Sequence, residues 1–370
     1  MCAGYGRVAR ASMARRCQHC AMSERAYRLG IIGGDGIGPE VTAAALTVLD
    51  AAERRFGFRT QREELPWSSR RYLETGERVT REMIEGLRRF DAVLLGAVGH
   101  PDAPRGMIER DIILNTRIQL ELYVNLRPIV LYDERLCPLK GKRREDINIA
   151  VIRENTEDVY VNTGTITGEG PDQTARVEMS FTRRGIERVI RYAYERARSR
   201  PRKRLTLVDK ANAIQIQGLW RDILEEVGAE YPDVERDAIY VDAACMWLVQ
   251  QPERFDTIVT TNLFGDIITD LGAALVGGLG VSASGNIRPG ATSVFEPIHG
   301  SAPKYAGKGV ASPVAAIGAL ALLLEHVGER EAATRVEQAV AEGLRSGRIP
   351  GVEAGSAPTE SVARTVAEAL

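Results

Sequence analysis

Short apolar runs alternating with helix-length stretches constrain this chain more than any other feature. Runs at 27–32, 92–96, 147–153, 205–208, 238–241 and 257–260 have strand composition, and stretches at 41–52, 80–89, 184–197, 218–227, 267–276 and 314–326 read as helices. Such alternation predicts an α/β fold, with a parallel or mixed sheet flanked by helices. The run AVLLG at 92–96 is apolar at every position, as a strand must be when helices cover both faces of its sheet. Residues 160–178 are rich in Thr and Gly with β-branched neighbours, which predicts a protruding loop or β-arm. A length of 370 residues suits two to three domains of about 150 residues each.

Charge and hydropathy exclude several classes. Lys and Arg total 49 against 50 Asp and Glu, a net charge of −1, so nothing attracts a phosphate backbone in general and nucleic acid is not an expected partner. The longest nearly apolar run, 311–324, contains Ser312, Pro313 and Gly318 and falls short of the roughly 20 residues of a membrane-spanning helix. No membrane association is expected. Five cysteines are too few for a disulfide scaffold, which points to a reducing, cytoplasmic setting.

The first 21 residues differ from the rest, with Arg7, Arg10, Arg15 and Arg16, no acid, and Cys2, Cys17 and Cys20. An organelle transit segment, half of a zinc site at Cys17 and Cys20, and a non-structural extension ahead of Met22 are the three readings. The zinc reading needs four ligands, and no second CxxC or HxxxH supplies them. Residues 1–21 are therefore expected to be an extension outside the fold.

Several constellations carry chemistry. The loop Gly33-Gly34-Asp35-Gly36-Ile37-Gly38-Pro39 follows a strand and opens a helix, with Pro39 suited to a first turn. It fails the dinucleotide fingerprint, because Pro39 stands where GxGxxG requires glycine. A tight strand-to-helix turn is the plain alternative. In the stretch 262–271, Asp266 and Asp270 form an i,i+4 pair of like charges if a helix carries them, a cost that a cation between them would remove. Mg²⁺ or Mn²⁺ fits such hard oxygen donors, and a helix start decorated with acids remains the competing reading. Arg117, Arg127 and Arg153 carry guanidinium forks suited to carboxylates, and Arg153 ends an apolar strand, where ligands bind in open α/β sheets. Lys210 also follows an apolar strand and Tyr160 closes the segment 155–160; each can move a proton when nearby charge tunes its pKa.

The motifs GGDGIGPE, NLRP, VIRENTE, DKAN, VDAA, NLFGDIITD and FEPIHGSAP, in order from residue 27 onward, resemble the isocitrate and isopropylmalate dehydrogenase family of β-decarboxylating dehydrogenases. The resemblance implies two α/β domains with a cleft between them: a cofactor-side domain from 22–125 plus 276–370, and a second domain, 126–275, carrying the arm and a homodimer interface. It further implies that Arg117, Arg127 and Arg153 hold the carboxylates of a substituted malate, with Ile113, Leu114 and Asn212 also at the substrate. Asp266 and Asp270 would bind Mg²⁺ or Mn²⁺, joined by Asp242 of a second subunit. Lys210, also from that subunit, would take the hydroxyl proton and Tyr160 would protonate C3, so the active sites would be shared. Ile37, Glu296, His299, Gly300, Ser301, Ala302, Lys304, Tyr305 and Ser312 would contact NAD or NADP.

The implied substrate is a dicarboxylate or tricarboxylate 2-hydroxy acid. In this family the stretch 109–114 faces the C3 substituent, and Ile113 with Leu114 forms an apolar wall that suits the isopropyl group of 3-isopropylmalate, an intermediate of leucine biosynthesis. Tartrate, isocitrate, homoisocitrate and specialised-pathway acids are the alternatives, because Ala213 stands where isopropylmalate enzymes usually carry valine. Lys304-Tyr305 replaces the Asp usual in NAD-dependent relatives and leans towards NADP. From another class, a non-catalytic regulatory subunit is disfavoured by the presence of Tyr160, Lys210, Asp242, Asp266 and Asp270.

Overall fold

The computed structural model describes residues 25–161 and 164–370, so the expectations for residues 1–21 and Met22 lie outside the described residues. Twelve strands follow in chain order: β1 (Arg25–Gly34), β2 (Phe58–Glu64), β3 (Ala92–Ala97), β4 (Val124–Val130), β5 (Asn148–Glu154), β6 (Thr165–Thr167), β7 (Thr174–Arg176), β8 (Arg204–Asp209), β9 (Glu235–Tyr240), β10 (Thr257–Thr260), β11 (Ala283–Ile287) and β12 (Ser293–Pro297). Ten of them form one mixed sheet in the order β2-β1-β3-β12-β11-β4-β5-β10-β8-β9. The strands β2, β1, β3 and β12 are mutually parallel, as are β5, β10, β8 and β9. Antiparallel pairings of β11 with β12 and β4, and of β4 with β5, join the two blocks. One block thus comes from both chain ends and the other from the middle.

All six residues of β3 are buried, as its unbroken apolar composition requires. The helix Val314–His326 is buried around most of its circumference and packs against β12, β11 and the helices Gly38–Phe56 and Arg330–Arg345. Residues 160–178 include β6 and β7, an antiparallel pair in a sheet of their own, and their Ile166 is exposed.

Three local expectations change. The helix over 80–89 is α-helical only at Arg81–Glu85, and Gly86–Arg89 tightens into a 3₁₀ turn. The strand at 238–241 ends at Tyr240, and Val241 opens the helix Val241–Gln250. The helix placed at 267–276 starts earlier, spanning Asn262–Leu275. Its N-terminus lacks a local side-chain cap; instead Leu263 N donates to Asp158 Oδ2 at 2.9 Å, a tertiary substitute for a cap of the kind that contributes about 1 kcal/mol.

The glycine loop is the tight turn that its composition allows, and it is pressed from two sides. Gly34 has φ +74° and Gly36 φ +60°; an added Cβ would lie 1.9 Å from Ala97 O and 1.9 Å from Ser301 O respectively. Glycine is required at both positions for conformation and for room. The loop is thereby held between the end of β3 and the segment after β12.

Candidate active site

Arg153, Lys210, Asp242 and the helix Asn262–Leu275 all lie at or just beyond the C-terminal ends of the mutually parallel strands β5, β8, β9 and β10. Chain direction thus delivers them to one margin of the sheet, where open α/β folds bind ligands.

Asp266 is the node. Arg153 Nη1 and Arg127 Nη1 both donate to Asp266 Oδ1, the latter at 3.3 Å, and Tyr160 OH donates to Asp266 Oδ2 at 2.9 Å. Arg153 Nε and Nη2 donate to Asn262 Oδ1 at 3.0 and 2.8 Å, and its guanidinium lies 5.4 Å from the Tyr160 ring centroid. Gly265 makes this approach feasible, since a Cβ there would sit 2.4 Å from Arg153 Cγ. Arg127 Nη1 also donates to Thr269 Oγ1 at 2.8 Å and lies 3.7 Å from Asp270. The like-charge pair Asp266 and Asp270 therefore shares Arg127 as a cation within the chain.

Burial and charge oppose each other here. Burial works against ionisation of Asp266, but Arg153 and Arg127 more than offset it and its pKa is lowered. For the more exposed Asp270 burial wins over Arg127, and with Asp266 as a like-charged neighbour its pKa is raised. Burial raises the Tyr160 phenol as well, reinforced by the Asp266 carboxylate. Desolvation lowers the guanidinium pKa of both Arg127 and Arg153, and for Arg153 the charge of Arg127 adds to the effect.

Arg117 stands apart from this node, with Nη2 donating to Glu296 Oε1 at 3.2 Å. The Nε atoms of Arg117 and Arg127 are buried and have no hydrogen-bond partner. Two such donors suit a bound carboxylate. Asp266 and Asp270, one helical turn apart and both with accessible carboxylates, form a hard-oxygen pair that fits Mg²⁺ or Mn²⁺.

Other expected site residues lie elsewhere. Lys210 Nζ pairs with Asp242 Oδ1 at 2.7 Å, and Asn212 is exposed nearby in sequence. Among the described residues no three His, Cys, Asp or Glu side chains gather as a metal site, so Asp242 does not join Asp266 and Asp270 within one chain. Ile113 and Leu114 are half-buried on the turn Arg110–Leu114, and Ile113 packs against the core around Ile84 and Leu87. Asp111 on that turn points its carboxylate at Arg78, with both bonds at 2.7 Å.

On the cofactor side, Ile37 N donates to Ser301 O at 2.8 Å, and both residues are buried. His299 Nε2 is buried without a partner, and burial lowers the pKa of the ring. Gly300 has open space where a Cβ would point, and Ala302 adopts φ +41°. An unpartnered ring nitrogen beside an open glycine fits a dinucleotide held through hydrogen bonds. Lys304 is exposed, with Nζ 4.6 Å from the half-buried Tyr305 ring, and Ser312 Oγ accepts from Val314 N.

The profile of the isocitrate/isopropylmalate dehydrogenase family matches residues 28–366. The chain belongs to this family. It is 48% identical over 352 residues to the 3-isopropylmalate dehydrogenase of Thermobifida fusca, an alignment covering 94% of this chain and 99% of that protein. It is 50% identical over 317 residues to the 3-isopropylmalate dehydrogenase of Mycobacterium avium, covering 85% and 92%. Among solved structures, the isocitrate dehydrogenase of Methylococcus capsulatus superposes with a TM-score of 0.82 at 36% identity, covering 93% of this chain and 99% of that one. The chain is thus a decarboxylating dehydrogenase of the isocitrate/isopropylmalate type.

Four residues of this dehydrogenase site were given no role from sequence alone: Asn262, Thr269, Asp158 and Glu157. Asn262 Nδ2 donates to Glu157 O at 3.0 Å, which ties the segment before Tyr160 to the helix bearing Asp266. Both residues lie inside quoted motifs, but only the fold shows that the motifs touch.

Proposed function

We propose that this chain catalyses the oxidative decarboxylation of 3-isopropylmalate to 2-oxoisocaproate, a step of leucine biosynthesis, with a nicotinamide dinucleotide and a divalent metal ion. The convergence of Arg127, Arg153 and Tyr160 on Asp266, beside unpartnered Arg117 and Arg127 donors, carries this reading. The relatives named as 3-isopropylmalate dehydrogenases support the substrate. Arg117, Arg127 and Arg153 bind and orient the two carboxylates, while Ile113 and Leu114 present apolar surface to the C3 substituent. Lys210, through a water, takes the C2 hydroxyl proton as hydride leaves C2. Tyr160 returns a proton at C3 after CO₂ departs. When bound at Asp266, Asp270 and Asp242, Mg²⁺ or Mn²⁺ supplies Lewis-acid polarisation of the substrate's C2 oxygen, and the nicotinamide supplies the hydride acceptor.

The site is shared between two copies in this reading. Lys210 and Asp242 form an exposed pair apart from Asp266, and Met246, Val249 and Ile267 leave apolar side chains exposed on the packed helices Val241–Gln250 and Asn262–Leu275. Such a patch suits a homodimer interface. Residues 22–125 plus 276–370 form the cofactor-side domain and 126–275 the second, in keeping with the two parallel blocks of the sheet. Ile37, Glu296, His299, Gly300, Ser301, Ala302, Lys304, Tyr305 and Ser312 contact the dinucleotide, and the exposed Lys304 pairs with a 2′-phosphate, favouring NADP.

Initial rates at 340 nm with Mg²⁺, offering 3-isopropylmalate, isocitrate, homoisocitrate, tartrate and malate with each cofactor, test the reading. Preference for 3-isopropylmalate is expected. Preference for another acid contradicts the substrate, and more than tenfold higher kcat/KM with NAD contradicts the role of Lys304.

A further inference from the structure

A row of buried amides crosses the centre of the sheet. Register aligns Arg153 on β5 with Asn125 on β4, and Asn125 with Asn286 on β11, so the three side chains share one face. Asn125 and Asn155 are fully buried and Asn286 is 2% exposed. Their neighbours Leu126, Ile287 and Val294 are apolar, and an unpartnered amide group in such surroundings is costly.

Asn286 is fully partnered. Its Nδ2 donates to Glu296 Oε1 at 2.8 Å and to Val294 O at 3.4 Å, and its Oδ1 accepts from Asn125 Nδ2 and Asn155 Nδ2, both at 3.0 Å. A carboxylate only accepts, so Glu296 dictates which way the Asn286 amide faces, and that orientation in turn fixes the other two. Glu296 Oε1 also accepts from Arg117 Nη2 at 3.2 Å. Asn155 belongs to the segment between Arg153 and Tyr160, and its Nδ2 donates to Leu122 O at 2.9 Å as well. One amide therefore connects Arg117 and Glu296 on one side with the Arg153–Tyr160 segment on the other.

We propose that Asn286 is a positioning residue for the dehydrogenase reaction: it holds Glu296, and through it Arg117, in register with the segment bearing Arg153 and Tyr160, so that substrate and nicotinamide sites form together. This rests on the reading of Arg117 as a substrate contact and Glu296 as a cofactor contact. An Asn286→Ala substitution removes one partner each from Glu296, Asn125 and Asn155 at once. An effect on ligand binding is expected beyond any effect on folding.

The test measures affinity for NADPH and for NADH by fluorescence titration, KM and kcat for the 2-hydroxy acid, and thermal stability, in Asn286→Ala and in the smaller polar change Asn286→Ser should the first fail to fold. Thr292→Val serves as the comparison, because it removes a buried bond from Thr292 Oγ1 to Phe90 O beside the same β11–β12 turn without touching Glu296. The Asn286 variants are expected to bind the reduced cofactor that the wild type prefers about tenfold or more weakly and to raise KM by a similar factor, with kcat less affected. Thr292→Val is expected to lower Tm alone. Wild-type affinity for that cofactor and wild-type KM in the Asn286 variants, with Tm lowered as in Thr292→Val, would overturn the proposal. A wild-type protein idle on 3-isopropylmalate, with cofactor binding still weakened by Asn286→Ala, would contradict the substrate reading and support the positioning role.

Discussion

The cluster around Asp266 and the pair Lys210–Asp242 use the same kinds of charged groups in opposite settings. Arg153 and Arg127 are 3% and 7% exposed and find their counter-charge in the same chain, whereas Asp242 is 66% exposed and pairs with Lys210. A buried charge must be paired for the fold to tolerate it, so the first region is completed by folding alone. Solvent screens an exposed pair, which contributes little to stability, so the need to pair a buried charge does not account for the second. The difference supports the proposal that the first region is built by one chain and that the second serves a site shared between two copies.

Breaking the first region has the largest expected effect. Asp266→Asn removes the negative charge that pairs with Arg127 and Arg153 and replaces the oxygen that accepts from Tyr160 by an NH₂ group, and turnover is expected to fall about a thousandfold or more while size-exclusion chromatography shows the wild-type assembly. Normal turnover would remove Asp266 from the chemistry. Next comes assembly. Ile267→Glu, one position along the same helix but facing out, is expected to yield monomers by light scattering and to abolish most activity, with little change in the circular dichroism of the folded chain. A fully active monomer would separate Lys210 and Asp242 from the reaction. The smallest effect lies outside both regions: Lys304→Asp is expected to move the NADP-to-NAD ratio of kcat/KM about tenfold towards NAD and leave the dimer intact.

Much of this was legible in the sequence because it rests on local rules. The unbroken apolar run at 92–96 became a fully buried parallel strand, and Pro39 marked the first turn of its helix. The i,i+4 spacing of Asp266 and Asp270 holds because both sit on one helix. What escaped depends on contacts distant in sequence. Asp158 caps a helix that begins 104 residues later, so local signals placed that helix start too late. Asp111 faces Arg78, whose position no periodicity reveals. Arg127 between two aspartates likewise follows from β4 lying beside β5, an antiparallel pairing that nothing in either strand announces.

The claim that one active site draws on two copies is tested most directly by complementation. Asp266→Asn and Lys210→Ala chains, each inactive alone, are co-expressed and assayed. If the partner subunit's Lys210 serves Asp266, each mixed dimer holds one intact site, and random assortment restores about a quarter of wild-type turnover. No recovery in verified mixed dimers would place both residues in the same chain's site and contradict the shared-site account.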